Sequence, residues 1–407
     1  MRGFHRIPTP DVSASADKTC DGCHNMPTPP DARLKVVENF LTLNPQPLIA
    51  VPSASSRFVR ACLRQPVDRT PVWFLRQAGR YMPEYMAVRK HHTLLEICRT
   101  PAVAAEVTIT AAEILGVDAA IIFADLLLPF TPMGLDFEFV AGEGPVVHTP
   151  IRTLEQVQAL QTDRIEELSY VARSIELVAK HFAPPRADGD QLGIIGFCGA
   201  PFTLASYMIE GGSSRNYIDA KKMMYASGVS GSPESTAWPL LMEKLVTVLI
   251  GFARQQVEAG ADVIQIFDSW AGALSVEDYR EFCLEPTTEL VKAVQQMGVP
   301  VIYFGVDTAS MLPAMRETGA DVLGLDWRTP LAEGWKAIGP GCGVQGNLDP
   351  IALFAPEEVL RRRVADVLRQ AAGRPGHIFN LGHGIVPGTP VENVIRVVEW
   401  VKELGKA

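Results

Sequence analysis

The sequence of 407 residues contains no uninterrupted run of about 18 apolar residues, the length that a helix needs to cross a bilayer. Its most apolar early stretch, residues 40–51, is interrupted by Asn44, Pro45 and Pro47. The first residues also lack the cationic start and apolar block that mark an export signal. We therefore expect a cytoplasmic protein with no membrane partner.

Positive charge and paired cysteines are also scarce. The 37 lysines and arginines are outnumbered by 46 acidic residues, for a net charge of −9, whereas nucleic-acid-binding proteins usually present a basic face. The seven cysteines are scattered apart from Cys20 and Cys23, so the sequence indicates no disulfide framework and favours a reducing compartment. With His24 this pair has the spacing of a c-type haem attachment site. That attachment follows export, so we interpret the match as chance.

The composition divides the chain into an N-terminal extension and one domain. Residues 1–54 are rich in Pro, Ser, Thr and Asp without a sustained period, and we predict that they are disordered apart from one short helix near residues 32–43. The domain is predicted over residues 55–407. The chain is 47% hydrophobic, which is ample for one large core.

A short apolar run, a turn and a longer helical pattern repeat eight times along this domain. Most runs are continuously apolar, as expected for parallel strands that are buried on both faces. Eight such units predict an α/β protein, a single (β/α)8 TIM barrel. The runs are residues 72–75, 119–123, 193–197, 263–267, 301–304, 322–325, 343–345 and 377–381.

The alternative architecture is a doubly wound open sheet. It would need fewer parallel strands and, usually, a phosphate-binding glycine turn after the first strand, which the sequence lacks. One long insertion, residues 138–190, separates the second run from the third. Its pattern predicts a small hairpin followed by two charged amphipathic helices.

Polar residues follow nearly every predicted strand. Barrel enzymes carry their active sites at the C-terminal ends of the strands, so we expect these side chains to form a polar cup above the apolar barrel. Any one of them alone is more often a turn residue or a helix cap. They are Arg76, Arg80, Asp125, Cys198, Asp268, Ser269, Asp326, Asn347, Asp349 and His383.

The segment PVWFLRQAGRYMPEY, residues 71–85, places Arg76 and Arg80 around a glycine directly after a predicted strand. Buried arginines are rare unless they are paired, and their planar guanidinium groups suit carboxylates held by two hydrogen bonds. The alternative is a structural pairing with an internal acid such as Glu84. The segment by itself does not decide between these readings.

The segment resembles the signature of the uroporphyrinogen decarboxylase family, and the likeness extends from about residue 57 to residue 404. Six further motifs follow in the same order. They are DAAIIFAD (118–125), GFCGAPFTLASY (196–207), EGGS (210–213), FDSWAG (267–272), QGNLDP (345–350) and HIFNLGHG (377–384). Seven separated matches are far more specific than any single motif. One departure is Ala124, where the family commonly has Ser; we expect position 124 to lie on or behind the barrel wall.

The resemblance implies a fold and a reaction. The family fold is a (β/α)8 barrel, and its enzymes remove CO2 from the four acetate arms of uroporphyrinogen III to give coproporphyrinogen III in haem and chlorophyll synthesis. It implies no metal and no organic cofactor, because a protonated pyrrole ring can itself receive the electrons released with CO2. It also implies a homodimer.

The resemblance also assigns residue roles. Asp125 would accept hydrogen bonds from the pyrrole N–H groups and stabilise the ring cation. Arg76 and Arg80 would hold substrate carboxylates, with Arg76 also a candidate for proton delivery. The remaining predicted contacts are of two kinds. Some are side chains that contact the acetate and propionate arms, and the others are two backbone N–H donors between the arginines. They are Tyr207, Ser269 and His383 for the side chains, and Gln77 and Ala78 for the backbone.

Structural alternatives remain for several of these residues. Asp125 could cap the next helix, Tyr207 could be a core aromatic, and Ser269 could be a turn residue. His383 lies between two glycines, where close backbone approach is easier to explain than ordinary core packing.

Two rival functions remain as well. The first is a zinc-dependent, corrinoid-linked methyltransferase of the same fold, but the middle strand that would carry its ligands reads Tyr303-Phe-Gly-Val306 and holds none. The second is a tetrapyrrole-binding protein without catalysis, which the retention of Arg76, Arg80 and Asp125 disfavours.

Overall fold

The structure, a computed structural model, describes residues 56–140, 142–229 and 231–406. The predicted disorder of residues 1–54, the short helix near residues 32–43 and the Cys20-Cys23-His24 cluster lie outside the described residues. The apolar runs of the sequence and the helical patterns between them appear as alternating strands and helices.

Seven strands form one parallel sheet in which neighbours in the sequence are also neighbours in space, apart from the inserted hairpin. In chain order the strands are β1 (Ala119–Ile121), β2 (Phe137–Val140), β3 (Gly144–Val147), β4 (Gly193–Gly199), β5 (Val263–Asp268), β6 (Val301–Gly305), β7 (Val322–Gly324), β8 (Gly343–Gln345) and β9 (His377–Ile378). Strands β2 and β3 pair antiparallel as the predicted hairpin.

Helices follow the strands and cover the outside of the sheet. In chain order they are α1 (Arg57–Cys62), α2 (Pro83–Arg89), α3 (Leu94–Arg99), α4 (Pro101–Leu115), α5 (Leu154–Ala159), α6 (Ser169–Phe182), α7 (Pro201–Glu210), α8 (Ile218–Ala226), α9 (Ala237–Glu258), α10 (Val276–Phe282), α11 (Leu284–Gln296), α12 (Leu312–Arg316), α13 (Leu331–Ile338), α14 (Glu357–Ala371) and α15 (Val391–Leu404). The insertion thus contains the hairpin and the two helices, α5 and α6, that the sequence predicts.

The first predicted strand closes the barrel. The N–H of Trp73 donates to the carbonyl of Phe379 at 3.3 Å, and the N–H of Phe379 donates to the carbonyl of Pro71 at 2.9 Å. On the other side, the N–H of Asp118 donates to the carbonyl of Val72 at 2.7 Å. This segment therefore lies between β9 and β1 and occupies the eighth strand position of the barrel. The fold is a (β/α)8 barrel, as predicted.

Side chains replace part of the strand ladder in this closing segment. The N–H of Val72 donates to Oδ2 of Asp118 at 2.9 Å, and the N–H of Leu75 donates to Oδ1 of Asn380 at 3.0 Å. Because these amides bind side chains rather than carbonyls, the predicted strand at residues 72–75 is an isolated parallel bridge and not a regular strand.

A cluster of charges surrounds the N-terminal end of β1. Asp118 has no exposed surface and accepts two hydrogen bonds of 2.7 Å from the guanidinium of Arg69, besides the one from Val72. Arg57 and Arg186 approach the same carboxylate at 3.5 and 3.3 Å. The cluster lies at the opposite end of the strand from Asp125, on the face of a barrel that usually serves stability.

The segment Glu234–Glu258, which includes α9, has the length and apolar composition of a membrane-spanning helix. More than half of its apolar window is buried inside the domain. Leu241, Leu245 and Leu249 form part of its buried face. Such burial is usual for a helix that packs on a parallel sheet, so its apolar composition is explained by the core.

We expect Asp118→Asn to lower the free energy of unfolding by about 3 kcal/mol or more, because removing one partner of a buried ion pair leaves Arg69 without compensation. Urea denaturation would measure the change. The matched control is Asp366→Asn, whose pair with Arg369 is exposed and should change stability by less than about 1 kcal/mol. Equal effects of the two substitutions would contradict a role for Asp118 in barrel closure.

Candidate active site

A cavity of about 500 Å3 opens at the C-terminal ends of the strands. Its walls come from the segment after residue 72, from the C-terminal ends of β1, β4, β5 and β6, from the hairpin, and from the loop that follows β9. Most of the predicted site residues line this cavity. They are Arg76, Gln77, Ala78, Arg80, Asp125, Ser269 and His383.

Arg76 and Arg80 are both exposed, so the argument from the rarity of buried arginines does not apply to them. They face the open cavity and not the core. Among the residues that the structure describes, neither guanidinium forms an ion pair within 4 Å, and the alternative pairing with Glu84 is absent. Two unpaired cations at the mouth of one cavity can bind carboxylates from outside the protein.

The backbone and a neighbouring glycine fix the position of Arg76. Its φ of 60° is left-handed, a conformation that costs a residue with a side chain about 1 kcal/mol. The side chain then lies against Gly384, where an added Cβ would be 2.4 Å from Cδ of Arg76. The close approach expected at the glycines around His383 is confirmed at both of them, because the Arg76 side chain contacts Gly384 and the backbone of residues 326–327 lies against Gly382.

Gln77 and Ala78 differ in what their backbones can offer. The N–H of Gln77 already donates to the carbonyl of Phe74 at 3.1 Å, and its buried side chain donates to the carbonyl of Ala119 at 3.3 Å. Within the described part of the chain, the N–H of Ala78 has no acceptor, and this residue lines the cavity. Of the two predicted backbone donors, the one at Ala78 is available.

Asp125 follows β1 at the floor of the cavity. Its Oδ1 accepts the N–H of Leu127 at 2.9 Å, a bond that fixes the turn after β1. The next helical turn, Leu128–Phe130, has no side-chain cap, so the alternative in which Asp125 caps the next helix is wrong. Burial raises the pKa of this carboxyl to about 6, although the Leu127 hydrogen bond and the Arg76 guanidinium act to lower it. Ala124, which we expected on or behind the barrel wall, also lines the cavity.

The His383 ring is set up as a neutral hydrogen-bond donor. Its Nδ1 accepts the N–H of Gly384 at 2.8 Å, which leaves the ring proton on Nε2. Burial lowers the pKa of His383, and the positive charges of Arg76 and Arg328 lower it further, against a smaller opposite effect of Asp326. The ring lines the cavity near Arg76.

Tyr207 and Ser269 belong to neighbouring elements. Ser269 follows β5 and lines the cavity, whereas Tyr207, on α7, is not among the lining residues. The Tyr207 ring stacks on Trp270 with centroids 3.8 Å apart, so the reading as a packed aromatic is confirmed. Burial raises the pKa of Tyr207, and the nearby negative charge of Asp125 adds to this effect. The phenol is thus a proton-bearing group close to the site.

Five phenylalanines form the apolar part of the cavity lining. Phe267 packs edge-on against Phe197 and Phe304, with ring centroids 5.6 and 6.1 Å away. The full set is Phe123, Phe139, Phe197, Phe267 and Phe304. Sequence reasoning did not single them out, although side chains alternate along a strand and Phe267 must face the same way as Ser269.

Within the described ranges, no group of three or more His, Cys, Asp or Glu side chains is placed to hold a metal ion. The five described cysteines are buried thiols. The polar side chains that line the cavity instead carry two guanidinium groups, a carboxyl, an imidazole, an amide and two hydroxyl groups, those of Ser269 and Tyr85. This donor set suits an anionic organic ligand better than a zinc ion.

Comparison with known proteins agrees with this geometry. Residues 53–404 match the family described as "Uroporphyrinogen decarboxylase (URO-D)". A protein named uroporphyrinogen decarboxylase from Koribacter versatilis is 61% identical over 350 residues, 86% of this chain and 96% of that protein. One of the same name from Solibacter usitatus is 50% identical over 349 residues, 86% of this chain and 97% of that protein.

Among solved structures, a methyltransferase from Methanosarcina mazei superposes with a TM-score of 0.70 at 22% identity, over 86% of this chain and 98% of its own. At that identity the likeness concerns the fold alone. The family match covers most of the chain and includes all seven motifs. The chain belongs to the uroporphyrinogen decarboxylase family.

Proposed function

We propose that this chain removes CO2 from the four acetate arms of uroporphyrinogen III and yields coproporphyrinogen III, without a metal or organic cofactor. The observation that carries the proposal is one cavity that combines an apolar wall, two unpaired guanidinium groups and a partly buried carboxyl of raised pKa. Family membership supports the same reaction.

The cavity has complementary groups for each part of such a substrate. The phenylalanines offer an apolar surface to the face of a tetrapyrrole. Arg76 and Arg80 offer hydrogen-bond donors in a plane that matches a carboxylate. The neutral His383 ring and the Ser269 hydroxyl, which line the cavity, and the Tyr207 phenol close to it can donate to further carboxylates without adding charge.

The reaction itself needs only protons and a stabilised cation. A proton adds to the ring carbon next to the one that bears the acetate arm, which makes the ring a cation conjugated with the CH2 group of that arm. The bond to the carboxylate then breaks, CO2 leaves, and the electron pair neutralises the ring as an exocyclic methylene. A second proton converts the methylene to a methyl and restores a ring cation, which becomes neutral when the ring proton leaves.

Asp125 is placed to stabilise the cationic intermediate. Its carboxylate lies at the cavity floor, where low polarity strengthens its attraction for a ring that carries positive charge. The same carboxylate can accept the pyrrole N–H groups, because Leu127 occupies only one of its acceptor sites. Arg76 and Arg80 then hold the arms, so that the reacting one is fixed relative to Asp125.

We further propose that the protein acts in the cytoplasm as a homodimer and binds neither nucleic acid nor membranes. The homodimer rests on the family resemblance, and the other assignments rest on composition.

The decisive experiment is anaerobic incubation of the purified, metal-stripped protein with uroporphyrinogen III, followed by separation of the oxidised products. We expect stepwise loss of four carboxyl groups. Asp125→Ala should slow it about 100-fold or more, because an electrostatic group aimed at the intermediate is lost. Asp349→Ala is the matched control, since Asp349 caps the turn after β8 through a 2.9 Å bond from Ile351 and does not line the cavity.

Each other outcome points elsewhere. If the folded protein binds the tetrapyrrole but releases no CO2, the proposal is rejected in favour of a binding protein. If it neither binds nor reacts, the methyltransferase alternative returns. If Asp125→Ala and Asp349→Ala slow the reaction equally, Asp125 acts as a turn cap and not in the chemistry.

The raised pKa of Asp125 predicts an acid limit to activity. The carboxylate form is lost as the pH falls through about 6, so kcat/KM should fall roughly tenfold per pH unit below that value. Arg76→Gln should move this limit to higher pH, because the guanidinium lowers the pKa of Asp125. Arg76→Lys keeps the charge and should leave the limit in place. A limit that does not move in Arg76→Gln would contradict the coupling.

Gly384→Ala should weaken substrate binding by displacing Arg76, whose Cδ and Cγ lie 2.4 and 2.7 Å from the added methyl. We expect KM for uroporphyrinogen III to rise about tenfold, since a carboxylate contact is misplaced. Gly228→Ala is the control, because its nearest neighbour is 3.5 Å away and its φ is ordinary. Equal KM values in the two variants would show that the contact with Gly384 does not position Arg76.

A further inference from the structure

A second carboxyl, fully buried, lies directly behind the cavity wall. Asp268 is the last residue of β5, and its neighbours Phe267 and Ser269 line the cavity. Because side chains alternate along a strand, Asp268 points the other way, into the layer between the barrel and the helices. Its side chain has no exposed surface.

Two hydroxyl groups bind this carboxyl, one on each oxygen. Oγ1 of Thr203 donates to Oδ1 at 2.7 Å, and the phenol of Tyr303 donates to Oδ2 at 2.7 Å. The Tyr279 hydroxyl lies 3.1 Å from the Tyr303 oxygen, so the hydrogen bonds on the Oδ2 side continue into α10, away from the cavity. Two chains of hydrogen bonds, called branches below, therefore start at Asp268. The Thr203 branch leads toward the site and the Tyr303 branch leads away from it.

The branch toward the site ends on the peptide after Ser269. Oγ1 of Thr203 also accepts the N–H of Trp270 at 3.3 Å. A hydroxyl has a single proton, and an ionised carboxyl can only accept. The proton of Thr203 is thus committed to Asp268, which turns a lone pair of Oγ1 toward the N–H of Trp270. An apolar residue at position 268 would leave this hydroxyl free to rotate.

The same branch reaches Tyr207. Thr203 and Tyr207 are four residues apart on α7 and so share one face of that helix. The Trp270 ring, whose peptide is held by Thr203, stacks on Tyr207 at 3.8 Å. One buried carboxyl thus constrains two of the predicted substrate contacts, Ser269 and Tyr207, which come from different elements.

We propose that Asp268 is a positioning residue, which acts through Thr203 to fix the turn of Ser269 and the ring of Tyr207 against the substrate arms. The inference rests on the proposed function, since it concerns the substrate contacts of that site. Burying a carboxyl is costly, so a purely structural position here would be filled more favourably by an apolar side chain. Asp268 makes no contact with the substrate itself in this proposal.

The two branches supply a variant and its matched control. Thr203→Val removes only the hydroxyl that joins Asp268 to Trp270, and Thr203→Ser restores it. Tyr303→Phe removes the other hydrogen bond of the same carboxyl, on the side away from the cavity. Thr203→Val and Tyr303→Phe each remove one hydrogen-bond donor from Asp268. The two variants therefore differ mainly in whether the lost hydrogen bond leads toward the cavity or away from it.

For uroporphyrinogen III under anaerobic conditions, we expect Thr203→Val to raise KM about tenfold and to change kcat by less than about threefold. Partly decarboxylated products should accumulate, because the arms on this wall are held loosely. Thr203→Ser should recover wild-type KM and products. Tyr303→Phe should lower the thermal midpoint but leave KM and product distribution within about twofold of wild type. Asp268→Asn should resemble Thr203→Val if it folds.

Two results would overturn the proposal. One is a folded Thr203→Val with wild-type KM and products, and the other is the same kinetic loss in Thr203→Val and Tyr303→Phe. A wild-type chain without turnover rejects the proposed function separately. The positioning role is then tested by the equilibrium binding of uroporphyrin. Thr203→Val should bind more weakly than the wild type, whereas Thr203→Ser and Tyr303→Phe should bind about as well. A wild-type chain that binds no uroporphyrin overturns the positioning role too.

Discussion

The closed barrel depends on how the segment at Val72 is joined to β1, and the central group of that junction is the buried carboxylate of Asp118. Asp118 donates its own amide to the carbonyl of Val72 and accepts the amide of Val72 on its side chain, so a single residue supplies two of the bonds that join the first segment to β1. Arg69 neutralises the charge with two short bonds. Every group on the segment after Val72, including both cavity arginines, takes its position from this closure.

Strand β1 therefore carries a carboxyl near each end, with opposite tasks. Asp118 is fully buried, but three guanidinium groups surround its carboxylate, and these ion pairs stabilise the fold. Asp125 has one hydrogen bond from Leu127 and only the more distant Arg76, so burial dominates and its pKa rises. The same type of side chain keeps a stabilised charge where partners surround it and has a raised pKa where few partners are present.

The sequence predicted the barrel because continuous apolar runs mark strands buried on both faces, and it predicted the site because polar residues follow those runs. It placed residues 72–75 in a regular strand, since no local pattern shows that Asp118 and Asn380 would take over backbone bonds. It also applied to Arg76 and Arg80 an argument that holds for buried arginines, although both are exposed. Whether a cation faces core or cavity depends on tertiary packing, which the spacing of residues does not contain.

The left-handed backbone at Arg76 has a consequence for how this protein can change. Gly would adopt that conformation without penalty, whereas the arginine is held there against its own preference. Random mutagenesis screened only for heat resistance would therefore tend to enrich replacements at this position that relieve the backbone. Such variants would gain thermal stability while they lost a cation of the cavity, so selection for function must act continuously if Arg76 is to be kept.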